Sequence, residues 1–140
     1  MAIIKEEQVT YQAKGGRNIF SLMQAAKAGI SFNFFIKLVK KSPLDLKEWT
    51  SLLHLTDRTM QRYKKEGRSF DQLHSERILE LSMLFQYGEE VFESRDHFST
   101  WLDTVSPALD GQKPINLLHS SFGITIIKDE LSRIEQGILA

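Results

Sequence analysis

Residues 45–67 read DLKEWTSLLHLTDRTMQRYKKEG, and the fold turns on how this run divides. Asp45 with Glu48 three residues later is a capping pair that opens a helix. Leu46, Trp49, Leu52 and Leu53 then give that helix one apolar face. The chain turns at His54-Leu55, and Thr56 starts a second helix that Gly67 stops. Two short helices joined by a turn of about three or four residues, the second crowded with Arg, Gln, Tyr and Lys, have the pattern of a helix-turn-helix. Met60 and Tyr63 are the inward positions of the second helix, which leaves Thr59, Gln61, Arg62 and Lys65 facing outward.

Upstream, Ile19, Leu22, Met23 and Ala26 recur at helical spacing and Gly29 closes the run. A second helix fits Ser31 to Lys41, with Phe32, Phe35, Ile36 and Val39 on one stripe, and Pro43 ends it because the residue before a proline is pushed out of the helical region. Downstream, a long helix is expected from Ser69 or Asp71 to Tyr87, with Leu73, Ile78, Leu81, Leu84 and Phe85 inside and Gly88 as its end. Ser94 is a candidate N-cap for a helix carrying Phe98, Trp101, Leu102 and Val105. Asp110-Gly111 makes a turn, Pro114 suits the first turn of a helix, and Gly123 sets off a last amphipathic helix with Ile127, Leu131, Ile134 and Ile138 on one face. No strand-like alternation competes with these runs, so the fold class is all-α. Residues 1–18, with Gly15-Gly16, read as a flexible arm, 19–87 as the helix-turn-helix domain and 88–140 as a small C-terminal helical domain. The two domains meet softly near Gly88 across a shared core.

Composition narrows the function classes. The 140 residues contain no Cys, which excludes a disulfide framework, a thiolate metal site and a cysteine nucleophile. No stretch approaches the ~20 apolar residues of a membrane span, and the first residues do not resemble a signal peptide. A soluble, cytoplasmic protein is the expectation. The net charge is zero, but it is +2 over residues 1–36, +5 over 37–68 and −7 over 69–140. One half therefore tolerates a polyanion that the other repels.

Arg pairs with guanine and Gln with adenine in a major groove, while Lys and Thr hold phosphates. Arg58, Thr59, Gln61, Arg62 and Lys65 are thus the candidate DNA-binding residues, although a basic helix face is also an ordinary solvated one. A single such helix calls for a homodimer on a pseudo-palindromic operator. His54, His74, His97 and His119 are scattered, without metal-ligand spacing. The carboxylates show no catalytic spacing, Ser120-Ser121 lacks the nucleophile-elbow pattern, and no phosphate loop is present. The expectation is no enzyme, no cofactor, no metal and no small-molecule substrate. Residues 135–140, EQGILA, give an apolar tip ending in a carboxylate, suited to a partner's cationic pocket.

Val91-Phe92, Phe98, Trp101-Leu102, Ala108-Leu109, Gly111, Pro114, Leu117-Leu118, Gly123, Leu131, Arg133-Ile134-Glu135 and Gly137 follow one another in a spacing that resembles the toxin-binding domain of the Xre/MbcA/ParS antitoxin family. Leu55, Arg58-Thr59, Arg62, Ser75 and Arg77 are similar to the Xre-like helix-turn-helix that precedes it. The family's double glycine is Asp110-Gly111 here, Lys113 and Ser120 stand where Thr is usual, and Glu80 where a second Arg is common. The resemblance implies a type II antitoxin that occludes a RES-type, NAD-degrading toxin, dimerises and represses its own operon. Trp101, Arg133, Glu135, Gly137, Ile138, Leu139 and Ala140 are the toxin-binding candidates. A regulator without a toxin partner is the alternative.

Overall fold

The computed structural model describes residues 19–137. Among them the chain forms α1 (Ile19–Ala28), α2 (Phe32–Lys41), α3 (Leu46–Leu52), α4 (Asp57–Glu66), α5 (Gln72–Phe92), α6 (Arg95–Leu102) and α7 (Ser121–Glu135), with 3₁₀ turns at Pro107–Leu109 and Pro114–Leu117. Extended pairing among these residues is limited to isolated bridges, Ser31 with Ser69 and Ser106 with Gln112. The all-α expectation holds. The proposed arm at 1–18 lies outside the described residues.

Most helix starts are fixed by a side chain that accepts a hydrogen bond from an otherwise unpaired N–H of the first turn. Ser31 accepts from Phe34, Thr56 from Thr59, Asp71 from His74, Ser94 from His97 and Ser120 from Gly123. Asp45 and Glu48 form the complete reciprocal box read from the sequence, with bonds of 2.8 and 3.0 Å. Each such cap is worth about 1 kcal/mol.

The helices close on one core. Phe35 meets Trp49 edge-on at 5.6 Å, and Trp49 meets Phe85 edge-on at 5.6 Å. Phe85 lies 6.3 Å from Phe98, which stacks with Trp101 at 6.2 Å. This aromatic line starts in α2, passes through α3 and α5, and ends in α6, so it crosses the boundary between the two domains. The buried indole N–H of Trp49 donates to Ser42 Oγ at 2.8 Å, which removes the cost of an unpaired donor. The central element is α5, which packs against α1, α6 and α7. Arg77 Nη2 donates to Ser121 Oγ at 3.3 Å near its start and Tyr87 donates to Glu135 at 2.8 Å near its end, so α5 and α7 run in the same sense. Ile30, just after α1, donates its N–H to Ser75 Oγ at 2.9 Å, so α1 runs the opposite way.

Several sequence expectations change here. Gly88 does not end a helix: α5 continues to Phe92, and Glu93 caps it in the left-handed region at φ 55°. Gly88 is buried inside the helix because a Cβ there would overlap the Phe98 ring. Gly123 likewise stands in the first turn of α7 rather than before it, where a Cβ would overlap the Leu117 carbonyl. Pro114 opens a 3₁₀ turn, not an α-helix. Leu73, expected inside, is 76% exposed, and Val105 is exposed as well.

Candidate functional site

Helix α4 is held by little of itself. Met60 is its one buried residue, and Tyr63 is half-buried against Phe70 at a ring separation of 5.1 Å. The Arg68 guanidinium lies 5.2 Å above the Tyr63 ring, a cation–π contact just past the helix end. With that side anchored, Arg58, Gln61, Arg62 and Lys65 are all exposed and recur at i, i+3, i+4 and i+7. They form a single outward stripe. Thr59, expected to join them, is half-buried, and its hydroxyl accepts from Thr56 Oγ1 at 2.9 Å. It serves the helix start.

The turn before α4 contains a contact that sequence reasoning missed. His54 has left-handed backbone at φ 57°, a conformation that costs a non-glycine residue about 1–2 kcal/mol. Its Nε2 lies 2.7 Å from the carbonyl oxygen of His119, so that nitrogen carries the proton. His119 Nε2 in turn lies 3.2 Å from Ser51 Oγ. The turn of the helix-turn-helix is thereby fastened to the loop before α7. Residues this far apart in sequence leave no periodic or spacing signal.

At the other end of the molecule, Arg133, Glu135 and Gly137 come together where α7 stops. Arg133 is exposed, yet its guanidinium is oriented by a 3.0 Å ion pair with buried Glu130. Glu135 accepts the Tyr87 hydroxyl, and burial, followed by that carboxylate, pushes the Tyr87 hydroxyl above its ordinary range. Gly137 takes φ 71°, the left-handed position favoured just beyond a helix. Trp101 is half-buried in the ring cluster with Phe92 at 5.6 Å and Phe98. Ile138, Leu139 and Ala140 lie outside the described residues.

Between α1, α5 and α7 runs a groove of about 1110 Å³. Glu80 lines it and pairs with Arg77 at 3.5 Å. No group of three or more His, Cys, Asp or Glu among the described residues is placed to hold a metal ion. No described helix is long and apolar enough to cross a membrane.

Two family models match the chain in tandem. Residues 21–82 match the antitoxin Xre-like helix-turn-helix domain, and residues 88–137 match the antitoxin Xre/MbcA/ParS C-terminal toxin-binding domain. The chain is also similar to the Prs ADP-ribosylating antitoxin of Sphingobium sp. (strain YBL2), at 25% identity over 123 residues, covering 81% of this chain and 77% of that protein. With both domains matched in order and the helix-turn-helix and α7 in place, the chain belongs to the Xre/MbcA/ParS antitoxin family.

Proposed function

We propose that this antitoxin neutralises a RES-type toxin that consumes NAD by placing the end of α7 and the residues after it over the toxin's active site, without catalysing a reaction itself. Arg133, oriented by Glu130, and Glu135 are the polar contacts, joined by Gly137 and the apolar Ile138, Leu139 and Ala140. A toxin that binds NAD needs cationic groups for the pyrophosphate, and the Glu135 carboxylate suits such groups. The same chain binds its operator as a cytoplasmic homodimer through Arg58, Gln61, Arg62 and Lys65, and so represses its own synthesis. Thr59 flanks that set, its hydroxyl accepting from Thr56 while its own O–H can still donate to a phosphate.

One observation carries this reading: α5 serves both domains, packing against α1 of the first and against α6 and α7 of the second. A DNA-reading unit and a toxin-binding unit thus share one rigid support. A second reading concerns the toxin's chemistry. The Sphingobium relative's name joins an antitoxin to ADP-ribosylation, and transfer of ADP-ribose to a protein consumes NAD just as hydrolysis does. This favours an NAD site in the partner while leaving the acceptor to be water or a protein side chain.

The test is co-expression with the adjacent reading frame, scored by growth and by cellular NAD. Rescue by the full chain, and its loss when residues 136–140 are deleted, is the expected outcome. Equal rescue by the truncated chain overturns the occlusion mechanism. A neighbouring gene with no toxicity leaves a transcriptional regulator in its place.

A further inference from the structure

We propose that the groove between α1, α5 and α7 receives a cationic amphipathic helix of the toxin, so that one partner element touches both domains of the antitoxin. This rests on the toxin-binding reading above and goes beyond the contacts at the end of α7. The groove's walls come from both sides of the domain boundary, α1 and most of α5 from the helix-turn-helix domain and α7 from the toxin-binding domain. Its apolar surface is real: Ile19 and Met23 line it while remaining 54% and 55% exposed, with Met83 between the helices.

Charge decides what covers it. Glu76 and Glu80 on α5 and Asp129 and Glu135 on α7 put carboxylates on two walls, and Lys128 is the one cation among the described lining residues. Such a lining repels nucleic acid. It also disfavours a second copy, because a two-fold contact would set the acidic face against itself. A partner with Lys or Arg beside its apolar residues meets both requirements. A helix fits better than a strand, since the surroundings are three helices and the described residues offer no sheet edge to extend. Apolar anchors at i, i+3 or i+4, and i+7 would reach Met23 and Met83, with basic residues flanking them toward Glu76 and Asp129.

The experiment is displacement of labelled full-chain antitoxin from its complex with the toxin encoded by the adjacent reading frame. The competitors are wild type, Glu76→Lys with Asp129→Lys, Met23→Glu, and the chain truncated after Glu135. Glu76, Asp129 and Met23 are exposed, so the folds should persist; circular dichroism and thermal midpoints check this. The charge-reversed chain should compete about tenfold or more weakly, with a flatter salt dependence, because rim charges act through association rate. Met23→Glu should weaken competition as well. Unchanged competition by the charge-reversed chain overturns the groove proposal, and if the truncated chain is weak in the same assay the toxin-binding reading survives it. Absence of any complex with wild type overturns both. A mass that halves in sedimentation of Met23→Glu alone would assign the groove to a second copy, which also overturns the proposal.

Discussion

The helix-turn-helix domain and the toxin-binding domain are both helical, but they are held together differently. In the first, the work is local: Ser31, the Asp45–Glu48 pair and Thr56 start their helices by short-range hydrogen bonds, and Gly29 and Gly67 end theirs with positive φ. In the second, Gly88 and Gly123 stand inside helices and provide closeness, which Gly29 adds to its positive φ in the first, where a Cβ would meet the Phe70 carbonyl. Gly88 admits the Phe98 ring and Gly123 admits the Leu117 carbonyl. A chain assembled by local rules tolerates change at its surface helices, whereas one assembled by close approach does not. The helix-turn-helix domain keeps its outward stripe on α4 exposed, while the toxin-binding domain depends on two close approaches.

The strongest challenge to this contrast comes from the aromatic line that ties the halves into one core. Phe85 touches Trp49 on one side and Phe98 on the other and is almost fully buried. Phe85→Ala should cost about 3–5 kcal/mol. The two tryptophans, Trp49 and Trp101, fall one in each half, so Trp49→Phe and Trp101→Phe chains report the halves separately in denaturant. Coincident transitions, both shifted by Phe85→Ala, mean one cooperative unit. Separate transitions would break the shared core into two.

The next effect sharpens the contrast itself. Gly123→Ala places a methyl group on the Leu117 carbonyl and should destabilise by about 3 kcal/mol, the upper range for overpacking. Gly67→Ala meets no atom nearby and bears only the cost of left-handed backbone, about 1 kcal/mol. Similar losses for the two substitutions, measured by urea unfolding, would erase the distinction between closeness and conformation.

Asp71 caps α5, the helix that runs from the first half into the second. Asp71→Ala removes its cap and should cost about 1 kcal/mol at neutral pH. The hydrogen bond from the His74 N–H, first among the causes, holds the Asp71 carboxyl below its ordinary value. A folded-state value below the unfolded one means that the cap's contribution is complete above the unfolded value of 3.8 and is lost as pH falls through the folded one. The gap between wild type and Asp71→Ala should therefore be constant from neutral pH down to about 4 and close below it. A gap that persists in strong acid would mean that the carboxylate is not the source.

How much of this was legible follows the same division. Caps and left-handed stops are written in neighbouring residues, so the helix-turn-helix could be read directly, down to the box at Asp45 and Glu48. Gly88 and Gly123 were misread as breaks because glycine signals a helix stop and a close approach with the same letter, and the approaching group is known only after folding. Leu73 fits the helical period yet faces solvent, since periodicity gives the stripe and not what covers it. The His54–His119 contact had no local trace at all. Among the site residues, the outward stripe of α4 was legible because Met60 and Tyr63 fix the opposite side. The packing of Trp101 against Phe92 and Phe98 was not, because it depends on how α6 lies against α5.

The smallest stability effect gives the sharpest test of operator binding by the helix-turn-helix domain. Arg58, Gln61 and Arg62 are exposed, so changing them together to Ala should move stability by no more than about 0.5 kcal/mol each. Their loss should nevertheless remove most operator affinity, and their separate substitutions should divide it by kind. An Arg that reads a base costs about 1–3 kcal/mol and relaxes specificity at one position, whereas one that holds a phosphate weakens every sequence alike and lowers the salt slope by about one. Operator titrations at several salt concentrations distinguish these. Unchanged affinity in the triple variant would leave α4 an ordinary solvated helix, and the contrast between the halves would then be one of architecture alone.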